Sequence, residues 1–324
     1  MLPNFTYVRP TSLRQAINEL SAPGTFLHAG GTDLLGCLRD GVLPAKKVVA
    51  ISGLSELRGI NTRRNGGVRI GALTTLAEIA ENDAIRREYA VLAEAAASAA
   101  SPQLRNQGTI GGNICQRPRC WYFRGDFHCL RKGGDRCYAV NGENQYHCIF
   151  GGSGCFIVHP SDTAPALVAL EAQVRIANPR GSRTIPMETF FVLPEKNPIR
   201  ENVLAENEIV TEILLPPPVA DLRSTYRKVR ARGAWDFALV GVAAAVAHPR
   251  TGPASIARIV LSGVAPIPWR SLPAEKALEG RRLEADSARD AAAAAAQGAQ
   301  PLEENRYKVA LVRGVVEEAL LALA

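Results

Sequence analysis

The chain has 324 residues, of which 47% are hydrophobic, and a formal net charge of +7 at pH 7. Such a length and composition are typical of a globular protein with about two domains and a sizeable core. No apolar run reaches the ~18 residues that a membrane-spanning helix requires. Lysines and arginines are scattered and no nucleic-acid-binding motif occurs, which disfavours a nucleic-acid-binding protein. The N-terminus lacks the apolar segment and cleavage site of a signal peptide, so we expect a cytoplasmic protein.

Short helical and strand-like segments alternate in the first part of the chain. Residues 11–20 start with Thr-Ser and continue with apolar residues at helical spacing, which predicts a helix. An apolar strand then precedes the glycines of "HAGGTDLL". The Ala-rich segment 87–101 predicts a helix that stops before Pro102, because proline disfavours a helical conformation of the preceding residue. Between these segments the pattern predicts strands at 46–52 and 68–73 and a helix at 75–82.

The second part of the chain divides at a proline-rich stretch, "PPPVADLRS", which is typical of a domain boundary. Before it, the pattern predicts a helix at 162–172 and strands at 173–178 and 206–218. After it, the pattern predicts a second α/β unit, with strands at 225–231, 236–248 and 254–265 and helices at 286–299 and 305–323.

Two pairs of adjacent glycines share a chemistry, in "HAGGTDLL" (28–35) and "QGTIGGNI" (107–114). Adjacent glycines allow positive φ and let backbone N–H groups approach an anion, as a dinucleotide pyrophosphate requires. Each pair is expected to follow a short apolar strand. Thr32, Asp33, Thr109 and Asn113 add short polar side chains that suit phosphate or ribose. Neither pair forms G-x-G-x-x-G and the chain has no Walker P-loop, so a Rossmann nucleotide site is not supported.

Six of the seven cysteines lie between Cys115 and Cys155, with the spacing C-x4-C-x8-C-x7-C-x10-C-x6-C. A disulfide framework is typical of small secreted domains, which this chain is not. A structural zinc site usually has paired C-x2–4-C knuckles, which only Cys115 and Cys120 approach. An iron–sulfur cluster needs four thiolates on a loop that can curl around it, and the glycines and basic residues of this segment suit that interpretation. Spacing alone does not choose four ligands from six.

Five motifs in this order carry a resemblance to a known family: "AGGTDLL", "IGALTTLAEI", "TIGGNI", "HPSDTAPALVALEA" and "YRKVRARGAWDFALVGVA". Together they resemble the FAD-binding medium subunit of the xanthine dehydrogenase family of molybdenum hydroxylases, over nearly the whole chain. Most such subunits join "TIGGNI" to "SD" by a few residues, whereas this chain places about forty there. The insertion resembles the [4Fe-4S]-containing subunits of bacterial aldehyde oxidoreductase and of 4-hydroxybenzoyl-CoA reductase. "RCWYFR" and "HPSD" look closer to the aldehyde oxidoreductase branch.

The resemblance implies an α+β, two-lobed FAD-binding fold of the PCMH/vanillyl-alcohol-oxidase-like type over residues 1–218. Its lobes would span about 1–57 and 58–218, with a cluster-binding insertion at 114–158. A small α/β C-terminal domain of the molybdenum-hydroxylase flavoprotein type would follow at 219–324. A self-sufficient flavin oxidase with this fold would need a substrate domain, for which the residues after 222 are too few.

The resemblance also implies the residues of two sites. Those expected to bind FAD are Leu27, His28, Ala29, Gly30, Gly31, Thr32, Asp33, Leu34, Ala99, Thr109, Ile110, Gly111, Gly112, Asn113, Asp162, Val210 and Lys228. Those expected to bind the [4Fe-4S] cluster are Cys120, Cys129, Cys137 and Cys155. Cys115 and Cys148 depart from the family pattern and leave the choice of ligands open. Cys37 is expected in the core or near the flavin, and His128, His147 and His159 are expected to be satisfied polar residues rather than ligands.

The function that the resemblance implies is electron transfer within a larger enzyme, with no catalytic residue on this chain. A large partner would carry the molybdenum cofactor and a small partner two [2Fe-2S] clusters, in a heterotrimer or a dimer of heterotrimers. Electrons would pass between these centres, FAD and an external acceptor, in aldehyde oxidation. The alternatives are a 4-hydroxybenzoyl-CoA reductase-like or xanthine dehydrogenase-like enzyme, or a zinc-stabilised binding module without redox function. A partner with a twin-arginine signal would make the complex periplasmic.

Overall fold

The computed structural model describes residues 2–249 and 252–324 of the chain. The first lobe is built on a three-stranded parallel sheet with strand order β1-β3-β2. Its first helix begins after Ser12, whose hydroxyl accepts a hydrogen bond from the Gln15 amide at 3.2 Å and so satisfies a free donor at the helix start. The elements of this lobe are β1 (Thr6–Val8), α1 (Leu13–Leu20), β2 (Thr25–His28), α2 (Leu34–Arg39) and β3 (Lys47–Ala50).

The second lobe contains a five-stranded sheet with the order β4-β5-β8-β6-β7, in which all neighbours are antiparallel. Helices between its strands form much of the larger hydrophobic core. The elements from here to the end of the lobe are β4 (Ile60–Thr62), β5 (Val68–Gly71), α3 (Leu76–Glu81), α4 (Asp83–Glu88), α5 (Ala90–Ser98), α6 (Pro102–Arg105), α7 (Ile110–Ile114), α8 (Trp121–Arg124), α9 (Thr163–Ala169), β6 (Gln173–Asn178), β7 (Gly181–Pro186) and β8 (Ile209–Leu215).

An antiparallel sheet with the order β12-β11-β10-β9 forms the C-terminal part. Strand β10 is buried along its whole length, because α5 and α9 contact it as well as α12. Its alternate residues enter two different cores, Ala243 with the second lobe and Ala244 with the C-terminal helices. The elements are β9 (Leu222–Val229), β10 (Val240–Ala247), β11 (Ile256–Ser262), β12 (Trp269–Arg270), α10 (Leu272–Leu278), α11 (Ala285–Ala295) and α12 (Tyr307–Leu321).

The mixed helix and sheet fold confirms the α+β prediction, and most predicted elements are present. The helix predicted at 87–101 is split, because Tyr89 leaves the helical conformation between α4 and α5. The prediction that both glycine pairs follow apolar strands is wrong for the second pair, which lies inside α7 and follows α6. The Thr109 hydroxyl accepts from the Gly112 amide at 3.2 Å and thereby starts a helix there.

The insertion between α7 and α9 has little regular structure beyond α8 and a 3₁₀ turn at Leu130–Lys132. Hydrogen bonds to the first lobe, to residue Glu201 and to the C-terminal part hold it in place. Among the described residues, no helix is both long and apolar enough to span a membrane.

Candidate flavin site and cysteine insertion

A cavity of about 1000 Å³ lies where both glycine-containing segments meet. Most of the residues predicted to bind FAD line it. They are Leu27, Ala29, Gly30, Gly31, Thr32, Asp33, Leu34, Ala99, Thr109, Gly111, Gly112, Asn113, Asp162 and Val210. Three predicted residues, His28, Ile110 and Lys228, are not part of this lining.

The first glycine pair is in direct contact with the second glycine-containing segment. A Cβ atom at Gly30 would collide with the backbone carbonyl of Gln107, and Gly31 has a φ of +74° that side chains rarely adopt. Within residues 2–249 and 252–324, the amides of Gly30, Gly31 and Thr32 donate to no backbone acceptor. They line the cavity, so this backbone has the free N–H groups and the close access that a pyrophosphate needs.

The side chain of Asn113, at the end of the second segment, is held in place by two hydroxyl groups. Its side-chain oxygen accepts hydrogen bonds from Ser161 and Thr163, each at 2.6 Å. The Ser161 hydroxyl also accepts from the Ala164 amide at 2.9 Å, at the start of α9. The "PSD" motif is therefore joined to the "TIGGN" motif, and this contact holds the two cavity walls together.

Asp162 forms a buried ion pair with Lys228. Its carboxylate accepts from the Lys228 ammonium and from the Tyr226 hydroxyl, both at 2.8 Å, and both charged side chains are almost completely buried. Lys228 also donates to the carbonyl of Ser98, next to Ala99 in the cavity wall. Lys228 thus lies behind Asp162 and supports the wall from outside the cavity.

The carboxylate of Asp33 joins the first glycine loop to the insertion. It accepts from the Arg117 amide at 2.7 Å and pairs with the guanidinium groups of Arg119 at 3.0 Å and Arg124 at 2.8 Å. Glu201 makes a second such junction with Arg117 at 3.0 Å and with Arg131. Sequence reasoning missed these contacts, although the arginines of "QRPRCWYFR" were a visible signal for an acidic partner.

A loop from the C-terminal part completes the mouth of the cavity. Trp235 and Phe237 line the cavity, and Trp235 is 60% exposed with a positive φ of 52°. The Arg119 guanidinium lies 5.1 Å from the centroid of the Phe237 ring, a cation–π distance. The insertion therefore touches both the first glycine loop and this aromatic loop.

Five of the six thiols of the insertion lie within electrostatic range of at least one other, and all seven cysteines of the chain are free. Cys120 is within electrostatic range of Cys137 and Cys155, and Cys137 is within range of Cys129. Burial raises the pKa of Cys120 to about 12 and also raises the pKa of Cys137. Thiolates at these positions therefore require a bound cation, since coordination deprotonates a thiol outright.

The remaining two cysteines of the insertion, Cys148 and Cys115, differ from each other in their surroundings. Cys148 is buried within electrostatic range of Cys137 and Cys155, so it belongs to the same group of thiols. Cys115 instead lines the cavity, beside the Glu201 charge. In residues 2–249 and 252–324, no three His, Cys, Asp or Glu side chains converge to hold a single metal ion.

His147 lies against this group of thiols, with its Nε2 3.3 Å from the sulfur of Cys120. Burial and the nearby Lys308 lower the pKa of His147 to about 4. Burial likewise lowers the pKa of His159 to about 4, and its ring packs edge-on against Phe191 at 4.8 Å. Both imidazoles are therefore neutral at physiological pH.

Known proteins resemble the chain along its whole length. Residues 3–218 match the family described as "FAD binding domain in molybdopterin dehydrogenase", and residues 224–323 match "CO dehydrogenase flavoprotein C-terminal domain". The aldehyde oxidoreductase FAD-binding subunit PaoB of Escherichia coli (strain K12) is 36% identical over 322 residues, which are 98% of this chain and 97% of the relative.

The chain belongs to the FAD-binding medium subunits of the molybdenum hydroxylase family.

Two further comparisons agree with this assignment. The carbon monoxide dehydrogenase medium chain of Hydrogenophaga pseudoflava is 30% identical over 328 residues, 99% of this flavoprotein subunit and 97% of the relative. A solved structure of carbon monoxide dehydrogenase from that organism, lacking the Mo-pyranopterin moiety, matches with a TM-score of 0.79 and 29% identity, covering 100% of this chain and 98% of the other. The flavoprotein subunit is thus an oxidoreductase component that binds FAD.

The close contact at Gly30 predicts that one added methyl group lowers both the stability and the FAD content of the protein. In Gly30→Ala the new Cβ collides with the Gln107 carbonyl, so the two loops must separate, at a cost of about 1–3 kcal/mol in the free energy of unfolding. We expect a lower melting temperature and a lower ratio of bound FAD to protein. Gly53→Ala is the control, because its Cβ meets open space and its φ is ordinary. Equal FAD content in both variants would contradict the role of this contact.

The buried pair of Asp162 and Lys228 predicts a large effect on stability. Lys228→Met leaves the Asp162 carboxylate buried without its cation, which costs about 3–5 kcal/mol in the free energy of unfolding. Denaturant titration measures this loss, with Lys196→Met at an exposed position as control. A loss in Lys228→Met no larger than in Lys196→Met would show that the pair does not support the cavity wall.

Proposed function

We propose that this subunit binds both FAD and a [4Fe-4S] cluster and transfers electrons in a molybdenum hydroxylase that oxidises aldehydes. One observation carries the proposal: the thiol-rich insertion is bound directly to the first glycine loop through Asp33. The insertion therefore stands beside the flavin cavity, where a second redox centre can exchange electrons with FAD.

The FAD end of the proposal is supported by the cavity and by its backbone. The free amides of Gly30, Gly31 and Thr32 suit the pyrophosphate, and the two glycine-containing segments are in contact with each other. When bound, FAD supplies the electron-transfer chemistry. The chain's residues bind it, orient it and limit access to it, with Trp235 and Phe237 at the mouth.

The insertion fits an anionic cluster in its charges as well as in its thiols. Arg131 follows Cys129 by two residues, its side chain is 1% exposed, and its Nε and Nη2 atoms have no partner among the described residues. Buried donors without partners are rare, so such atoms indicate a missing acceptor. We assign Cys120, Cys129, Cys137 and Cys155 as ligands. Cys115 is the least suitable thiol, because it lines the flavin cavity.

Aldehyde oxidation is proposed from the relative whose sequence is 36% identical along both chains, the FAD-binding subunit of an aldehyde oxidoreductase. The organic substrate would be oxidised on a large partner that carries the molybdenum cofactor. A small partner with two [2Fe-2S] clusters would deliver the electrons to this subunit, and an external acceptor would receive them. In this arrangement no side chain of this subunit acts on the aldehyde.

Chemical analysis of cysteine variants tests the cluster. We expect the chain, purified without oxygen, to contain FAD, iron and acid-labile sulfide in a fixed ratio. Serine at Cys120, Cys129, Cys137 or Cys155 should each abolish the iron and sulfide, because the cluster needs all four thiolates. Cys37→Ser and Cys115→Ser are matched controls that should retain both. A zinc-containing wild-type protein without sulfide would overturn the cluster.

A substrate panel tests the proposed reaction. The subunit is copurified with its partners, and the complex is assayed with aldehydes, purines and aryl-CoA thioesters under one set of conditions. We expect turnover of aldehydes to exceed that of the other classes by at least tenfold. Preferential purine oxidation would replace the proposal with a xanthine dehydrogenase-like function, and thioester reduction with a 4-hydroxybenzoyl-CoA reductase-like one.

A further inference from the structure

Side chains of the C-terminal part form hydrogen bonds with one short stretch of the insertion, residues 144–148. The Asn305 amide group donates to the carbonyls of His147 and Cys148, at 3.1 and 3.2 Å. The Tyr307 hydroxyl donates to the carbonyl of Gln145 at 2.8 Å. The start of α12 therefore fixes the backbone beside the thiols, although it is about 160 residues away in the sequence.

Lys308 lies at the centre of this contact and is completely buried. Its ammonium group donates to the carbonyls of Tyr146 at 3.0 Å and Gly263 at 2.7 Å. Its hydrogen-bond acceptors among the described residues are these two carbonyls, and neither is a carboxylate. A buried charge without a counter-charge is strongly unfavourable, and burial lowers the pKa of Lys308 to about 7.

The ammonium group of Lys308 is bound, through the Tyr146 carbonyl, to the stretch of the insertion that carries His147 and Cys148. It acts electrostatically on Cys148 and on His147, whose Nε2 lies 3.3 Å from the Cys120 sulfur. Cys148 in turn lies within electrostatic range of Cys137 and Cys155. Lys308 is thus bound to the stretch of the insertion whose His147 contacts Cys120, one of the thiols that would hold the cluster.

We propose that Lys308 is the buried counter-charge of the [4Fe-4S] cluster, and that it raises the reduction potential of the cluster. The inference rests on the proposed function, since it requires the cluster. A [4Fe-4S] cluster with four thiolates is anionic, and its one-electron reduction adds a further negative charge. An ammonium nearby stabilises the reduced form of the cluster more than the oxidised form. The cluster would therefore accept electrons from the partner subunits more readily.

The test is a redox titration of the full-length chain, purified without oxygen and followed by the EPR signal of the reduced cluster, with dithionite as electron donor. In Lys308→Gln the charge is lost while an amide donor remains for the carbonyls. We expect the equilibrium constant for reduction to fall on the order of tenfold, which is about 59 mV for a one-electron couple. Lys308→Arg keeps the charge and should stay close to the wild-type potential.

Two further measurements keep the outcomes separate. Lys276→Gln removes an exposed charge from the same part of the chain and should leave the potential unchanged. Iron and sulfide analysis of the wild type tests the cluster itself, and their absence would overturn both proposals. A cluster present with equal potential in wild type and Lys308→Gln would overturn the counter-charge alone. If Lys308→Gln loses the cluster, Lys308→Arg separates the explanations. A cluster retained in Lys308→Arg supports the role of the positive charge, and loss of the cluster in both variants refutes it.

Discussion

The carboxylate of Asp33 determines how the two halves of the site are arranged. It belongs to the first glycine loop, and its acceptor atoms are used by the insertion rather than by solvent. The carboxylate is mostly buried and paired with two guanidinium groups, so it ties the loop to the insertion. The aromatic loop joins the same unit through the contact between Arg119 and Phe237. A flavin in the cavity and a cluster in the insertion would therefore be held by one connected set of contacts.

Charge is distributed through the insertion in a way that suits an anion at its centre. Arg117 and Arg131 share the carboxylate of Glu201, and Arg131 still has two guanidinium nitrogens without a partner among the described residues. Lys308 adds an ammonium that only carbonyls satisfy. The two partnerless nitrogens of Arg131 and the ammonium of Lys308 are costly to bury, and an anionic cluster beside them would offset that cost. Burial, rather than this positive charge, raises the pKa values of Cys120 and Cys137.

The sequence allowed much of the fold and most of the cavity lining to be predicted, because these features depend on local patterns. Diglycine loops, Ala-rich helices and alternating strands have short-range signals, and most residues of the flavin prediction line the cavity. The partners of Asp33 could not be predicted, since they lie 84 or more residues away. The helix at the second glycine pair was missed because its start depends on one hydroxyl, that of Thr109. The position of Lys228 behind Asp162 likewise depends on strand register, which periodicity does not fix.

The most direct test of whether this chain holds both FAD and a [4Fe-4S] cluster uses protein labelled with iron-57 and purified without oxygen. Its Mössbauer spectrum and its flavin absorption are recorded on the same sample. We expect the signal of a four-iron cluster in the same sample that shows oxidised FAD. A spectrum without cluster-bound iron, in protein that still contains FAD, would contradict this expectation.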